Sequence, residues 1–223
     1  MTEEPTWSGV FFDLDGTLAD TIDLILLSFR HTMETHLGEV PAESRFLETI
    51  GMPLPVQLSD FARTEEERLA MLETYVSFQR TRHDEMVGAF PGALSALSEL
   101  RVRGTLLAVV TSKGSAIAAR TMKACGLQDR FDVVVCGDEV ERGKPDPEPV
   151  LRALASLGLD GRAEEVLFVG DSPHDLTAGR AAGTRTAAVG WGPIDRRVLE
   201  AESPDFFLDR MEDVLRTAPV SEP

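Results

Sequence analysis

The sequence predicts an α/β fold, a doubly wound parallel sheet interrupted by an inserted helical domain. Two observations predict it. Short apolar runs alternate with helical patterns through the second half of the chain, as strands joined by crossover helices do. Between the first run and the second, residues 19–89 repeat at helical spacing and break that rhythm. With 223 residues and 43% hydrophobic content the chain buries a substantial core, as one large domain or one domain carrying an insertion.

The first strand is Gly9–Phe12, an apolar run that breaks into Asp13-Leu14-Asp15-Gly16-Thr17. Side chains two apart on a strand point the same way, so a continuing strand puts Asp13 and Asp15 on one face, repelling each other until something positive arrives. A hard cation is the obvious candidate; an Asp-Gly turn is the alternative reading of the same residues. The insertion carries helical patterns over Ile22–Leu37 and 65–82, turn signals at Gly38, Pro41, 51–53 and Gly88, and no convincing strand. It is net acidic and lacks lysine, which fits a solvated surface better than an anion-binding one. The sheet domain is therefore expected over 1–18 and 90–223, and the insertion over 19–89. Leu94, Leu97 and Leu100 repeat at helical spacing before a second strand at Leu106–Val110. A third strand follows at Val133–Val135, then a helix over 147–157 with Pro147 in its first turn, and a strand over 166–169. A helix over 173–182 opening on Pro173, and strands over 186–189 and Phe206–Leu208, complete the alternation. Residues 1–6 and 217–223 read as frayed ends.

Three further features fall at the ends of these strands, the edge where open α/β sheets place ligands. Thr111-Ser112-Lys113-Gly114 offers hydroxyls and backbone N–H groups at a helix start, suited to a phosphate oxygen or simply to capping. Gly143-Lys144-Pro145-Asp146-Pro147 holds one of only three lysines, Lys113, Lys123 and Lys144, in a proline-bracketed loop. That is either a compact point charge for a site or a solvated loop lysine. Gly170-Asp171-Ser172-Pro173-His174-Asp175 ends one strand on a carboxylate and sets another in the next helix's first turn. Capping explains one of those acids but not readily the pair.

Composition narrows the partners. A net charge of -16 and a pI near 4.6 argue against nucleic acid or an anionic membrane, so any phosphate site is local and its substrate a small molecule. The longest fully apolar stretch, Leu106–Val110, is far too short to cross a bilayer, and the N-terminus lacks the basic start of a signal peptide, so a cytoplasmic location is expected. Cys125 and Cys136 lack CxxC spacing and nearby histidines, and read as buried free thiols. Oligomeric state is not readable from these patterns.

Taken together, the paired aspartates, hydroxyl loop, lysine and acidic pair, in that order and each at the end of a different strand, resemble the four motifs of the haloacid dehalogenase (HAD) superfamily. The resemblance covers residues 10–215. It implies a Rossmann-like core with a helical cap of the C1 type, placed between the first and second motifs, where this chain carries its insertion. It also implies a Mg²⁺-dependent phosphohydrolase in which Asp13 attacks phosphorus to form an aspartyl-phosphate and Asp15 is general acid and then base. Asp13, the backbone carbonyl of Asp15 and Asp171 would hold the metal. Thr111 and the Ser112 N–H would bind phosphoryl oxygens, Lys144 would neutralise charge on the transferring group, and Asp175 would orient Lys144 or the metal's surroundings, with Gly16 in support. Ser112 departs from the Asn frequent in phosphoglycolate phosphatases, which reroutes or weakens one polar contact.

Asp15 also separates reactions within the superfamily. Dehalogenases and phosphonate-cleaving members lack an acid there, and the latter recruit a cap lysine that this chain does not have. Phosphosugar mutases share both acids, whereas a non-catalytic phosphate-binding module should have lost an acid, the lysine or a metal ligand. The segments 28–32, 50–54, 83–84, 144–149 and 204–206 are similar to HAD-type inorganic pyrophosphatases related to phosphoglycolate phosphatases. Pyrophosphate is the expected substrate on that resemblance, with Arg30, Arg80, Arg82 or His83 reaching the distal phosphate. Phosphoglycolate or another small phosphate monoester is the alternative.

Overall fold

The structure is a computed structural model and describes residues 6–219. In chain order it runs through strand β1 (Gly9–Phe12) and the two-residue β2 (Ala19–Asp20) into helices α1 (Ile22–Leu37), α2 (Glu43–Leu47), α3 (Leu54–Ser59) and α4 (Glu65–Met86). Strand β3 (Gly88–Ala89) and helix α5 (Ala93–Val102) lead back to β4 (Leu106–Val110), α6 (Ser115–Ala124) and β5 (Val133–Val135). The remainder is α7 (Glu148–Ser156), β6 (Val166–Gly170), α8 (Pro173–Ala181), β7 (Arg185–Val189), α9 (Arg196–Ala201) and β8 (Phe206–Leu208).

Six strands form one sheet in the order β5-β4-β1-β6-β7-β8, with every pairing parallel. Because crossover helices cover both faces, the strands are apolar on both. On β1, Val10 and Phe12 pack with Leu97 and Leu100 of α5, while Phe11 packs on the other face with Val150 and Leu154 of α7. The doubly wound parallel sheet is the one expected from the alternation, with strands extended by a residue at β6 and β7.

The chain between β1 and β4 is helical, as expected, and has its own apolar centre of Phe29, Met33, Phe46, Leu58, Phe61, Met71 and Tyr75. Thr64 caps α4 by accepting the Glu67 N–H at 3.1 Å, and Glu65, Glu66 and Glu67 favour the positive end of that helix. The absence of a strand there does not hold: β2 and β3 pair antiparallel, Ala19 with Ala89 and Asp20 with Gly88. Two residues are too few to show a period-two pattern, and the pairing joins positions far apart in sequence. At the other end of the chain, Trp7 Nε1 donates to Thr217 Oγ1 at 2.9 Å, so Thr217 is tied down rather than frayed. The fraying expected at 1–5 and 220–223 lies outside the described residues. Among the described residues no helix is long and apolar enough to cross a membrane.

Candidate active site

Three adjacent central strands, β4, β1 and β6, end beside one another, and each delivers a polar residue at its carboxyl end. Asp13 follows β1, Thr111 follows β4 and Asp171 follows β6; all three are buried. Lys144 arrives from the loop between β5 and α7 and is 2% exposed. Its Nζ donates to Asp13 Oδ1 at 2.6 Å, to Asp175 Oδ1 at 2.6 Å and to the Val110 carbonyl at 3.2 Å. Asp175 is fixed by the start of α8, where its Oδ2 accepts the Ser172 N–H at 3.1 Å and the Ser172 hydroxyl at 2.6 Å. The second acid of that motif therefore caps a helix with one oxygen and grips Lys144 with the other.

Oxygens of Asp13, Asp171 and Asp175 lie within 4.8 Å of one another. Burial is the largest influence on Asp13 and pushes it up to about 7, opposed by Lys144 and reinforced by Asp175 and Asp15. Asp171 is raised well above the usual carboxylate range by burial first, then by Asp175 and Asp13. Burial alone would lower Lys144, but Asp13 and Asp175 together raise it, so it stays an ammonium. Fully ionised, the three carboxylates around one ammonium would carry a formal charge of -2 in a buried place, which is the state that burial opposes and a bound cation would favour. An all-oxygen donor set with that surplus fits a hard divalent cation. Glycine keeps the space open: Gly16 has φ +76°, and a Cβ there would overlap Asp171 Oδ2.

Asp15 stands apart from this cluster. The strand stops at Phe12, and the chain turns so that the Leu18 and Ala19 N–H groups both bond back to the Leu14 carbonyl at 3.0 and 2.8 Å. A shared strand face is thus not what relates Asp13 to Asp15. Each acid has its own ammonium: Asp15 Oδ1 accepts Lys113 Nζ at 2.5 Å and the Thr21 hydroxyl at 2.7 Å. Thr111 Oγ1 accepts the Lys113 N–H at 3.1 Å, which shapes the loop that presents this lysine.

Asp13, Asp15, Thr111, Ser112, Lys113 and Asp171 line one side of a cavity of about 440 Å³. The helical insertion supplies the other side, with Gln57, Leu72, Tyr75, Val76 and Gln79 among its residues. Gly51 and Met52, in the turn before α3, close down on the sheet, where the Ser112 hydroxyl donates to the Gly51 carbonyl at 2.5 Å.

The four basic residues expected to reach a distal phosphate do not line the cavity. Arg30 is exposed and ion-paired with Glu43. Arg80 and Arg82 are exposed, Arg82 lying 3.9 Å from Glu85. His83 is 1% exposed, with Nε2 2.9 Å from Thr121 Oγ1 and Nδ1 2.8 Å from Asp84 Oδ1. The cause is helix phase. Met71, Tyr75, Gln79 and His83, four apart, form the buried stripe of α4, and Arg80 and Arg82 fall off it. Sequence reasoning singled out Lys113 only as a rare lysine in a hydroxyl loop and did not foresee its bond to Asp15. It missed Gln57 as well, whose Nε2 donates to the Met52 carbonyl at 2.7 Å while its buried Oε1 has no protein partner. No local signal marks that glutamine.

Comparison with known proteins agrees with this geometry. The family model for haloacid dehalogenase-like hydrolases matches residues 10–189. Pyrophosphatase PpaX of Bacillus cereus (strain Q1) is 41% identical over 207 residues, covering 92% of this chain and 94% of the relative. A hydrolase from Pseudomonas syringae superposes with a TM-score of 0.84 at 25% identity, covering 94% of this chain and 96% of that one. A haloacid dehalogenase-like family hydrolase from Streptococcus pneumoniae superposes with a TM-score of 0.79 at 23% identity, covering 97% and 99%. On sequence, fold and the clustering of its motif residues, the chain belongs to the haloacid dehalogenase-like hydrolase family.

Proposed function

We propose that this protein is a Mg²⁺-dependent phosphohydrolase acting through an aspartyl-phosphate, with inorganic pyrophosphate as its preferred substrate. The observation that carries the chemistry is buried Asp13, bonded to Lys144 and gathered with Asp171 and Asp175 at the strand ends. The pyrophosphate assignment is supported by the 41% identity to pyrophosphatase PpaX across 92% of the chain. Residues 19–89 act as the cap that covers the site, and the reaction belongs to the cytoplasm, where the free buried thiols Cys125 and Cys136 are at home.

Asp13, the Asp15 carbonyl and Asp171 would hold the Mg²⁺, which would supply positive charge to offset repulsion between the Asp13 carboxylate and an anionic phosphate. An Asp13 carboxylate oxygen bonds to phosphorus as the leaving oxygen departs, and Asp15 gives that oxygen its proton. Lys113 keeps the Asp15 carboxyl in place before and after this transfer. Thr111 and the Ser112 N–H bind phosphoryl oxygens, and Lys144, oriented by Asp175, offsets charge on the transferring group. Asp15 then takes a proton from water as that water displaces Asp13.

The test is a substrate panel with Mg²⁺. Pyrophosphate should exceed phosphoglycolate and an aryl phosphate in kcat/KM by about tenfold or more. Asp13→Asn should be inactive on all of them. Equal rates would reject pyrophosphate in favour of a small phosphate monoester, and an active Asp13→Asn would reject the nucleophile. The monoester reading has one observation in its favour: among the described residues lining the cavity, Lys113 is the sole lysine or arginine.

A further inference from the structure

Beyond the catalytic acids the cavity is walled mainly by apolar side chains. On the insertion side it is lined by Ile25, Phe46, Ile50, Leu54, Leu72 and Val76, and on the sheet side Ile117 joins them. The cationic lining residue, Lys113, is already paired with Asp15. The volume, about 440 Å³, lies within the range of sites that enclose small organic molecules. Apolar groups gain by entering such a space, roughly in proportion to the surface they bury.

We propose that the site also hydrolyses phosphate monoesters of compact apolar alcohols, with the alcohol seated against α1, α3 and α4. The cavity is continuous with Asp13 and Asp15, so a phosphoryl group at the strand ends directs its ester substituent into the apolar half. This inference rests on the phosphohydrolase reading but not on the choice of pyrophosphate. The bonding changes balance with groups already named. An Asp13 oxygen bonds to phosphorus, the ester P–O bond breaks, and the departing alkoxide takes the Asp15 proton to leave as the alcohol. Water then bonds to phosphorus and returns a proton to Asp15, while the P–O bond to Asp13 breaks and inorganic phosphate leaves.

The experiment is a chain-length series, methyl, butyl and hexyl phosphate, assayed by phosphate release with the Mg²⁺-loaded enzyme. The value of kcat/KM should rise by about threefold per added methylene while the cavity fills. Leu72→Asn and Val76→Asn, each at a partly exposed position on α4, should lower the hexyl-to-methyl ratio by at least about threefold. Because the readout is a ratio, a general loss of activity in a variant cancels. Competitive inhibition by hexylphosphonate and methylphosphonate gives the same comparison without turnover, and the longer chain should bind more tightly. A flat or falling series alongside ordinary phosphate release would overturn the apolar site and leave the phosphohydrolase standing. No release from any ester or from pyrophosphate would remove both.

Discussion

Lys144 and Lys113 each hold one of the two acids of the first motif, and they are two of the three lysines in the chain. Lys144 is the more exacting case, because removing it leaves Asp13, Asp171 and Asp175 buried together with no ammonium among them. Lys144→Met should destabilise the metal-free protein by about 3 kcal/mol, as breaking a buried ion pair does. Lys123→Met, at an exposed position, is the control for urea denaturation and should leave the midpoint in place. Equal midpoints for the two variants would show that the buried charges are balanced in some other way. At this scale the sequence was informative where chemistry is compressed into short motifs: Asp13, Lys144, Asp171 and Asp175 do meet. It was uninformative where contact depends on helix phase and distant pairing. Arg30, Arg80 and Arg82 could be counted but not aimed, and the Lys113–Asp15 bond spans 98 positions.

Elements with a strong apolar signal were legible, including all six strands of the main sheet and the long helices of the insertion. What escaped was short and stabilised from outside, namely the β2–β3 pair and helices α2 and α3, whereas the turn before α3 was marked by Gly51 and Pro53. That turn is a sensitive part of the insertion. Gly51 has φ +92°, and a Cβ there would sit 2.5 Å from Ser172 Oγ, on the residue that clasps Asp175. Gly38, at the end of α1, has φ +73° with nothing within 4 Å of an added Cβ. Alanine at either position takes on about 1 kcal/mol of backbone strain, so the pair separates strain from contact. Gly51→Ala should lower kcat/KM by about tenfold or more through lost closure, whereas Gly38→Ala should shift only the melting temperature. Matching activity in the two variants would mean that the turn need not approach Ser172.

For the molecule as a whole, the net charge of -16 opposes the approach of an anionic substrate to a site with few cations. Screening weakens that opposition, since the Debye length shrinks from about 30 Å at 0.01 M to about 8 Å at 0.15 M salt. At constant free Mg²⁺, kcat/KM for pyrophosphate should therefore rise with ionic strength over this interval. A steep fall would instead mean that Lys113 and Lys144 dominate the field felt by the incoming ion. The acidic balance was plain in the composition, but its placement around the cavity needed the fold.

The β2–β3 pair bears on more than this one enzyme's geometry. Asp20 and Gly88 are partners in an antiparallel bridge, so the chain enters the helical insertion and leaves it about 5 Å apart. We propose that the residues between those two positions, which have their own apolar centre, form a separable unit. A tight turn, or a different bundle with neighbouring ends, could be spliced across the same gap without moving Asp13, Thr111, Lys144 or Asp171. On that proposal the scaffold would separate inheritance of the reaction from choice of the molecule that undergoes it.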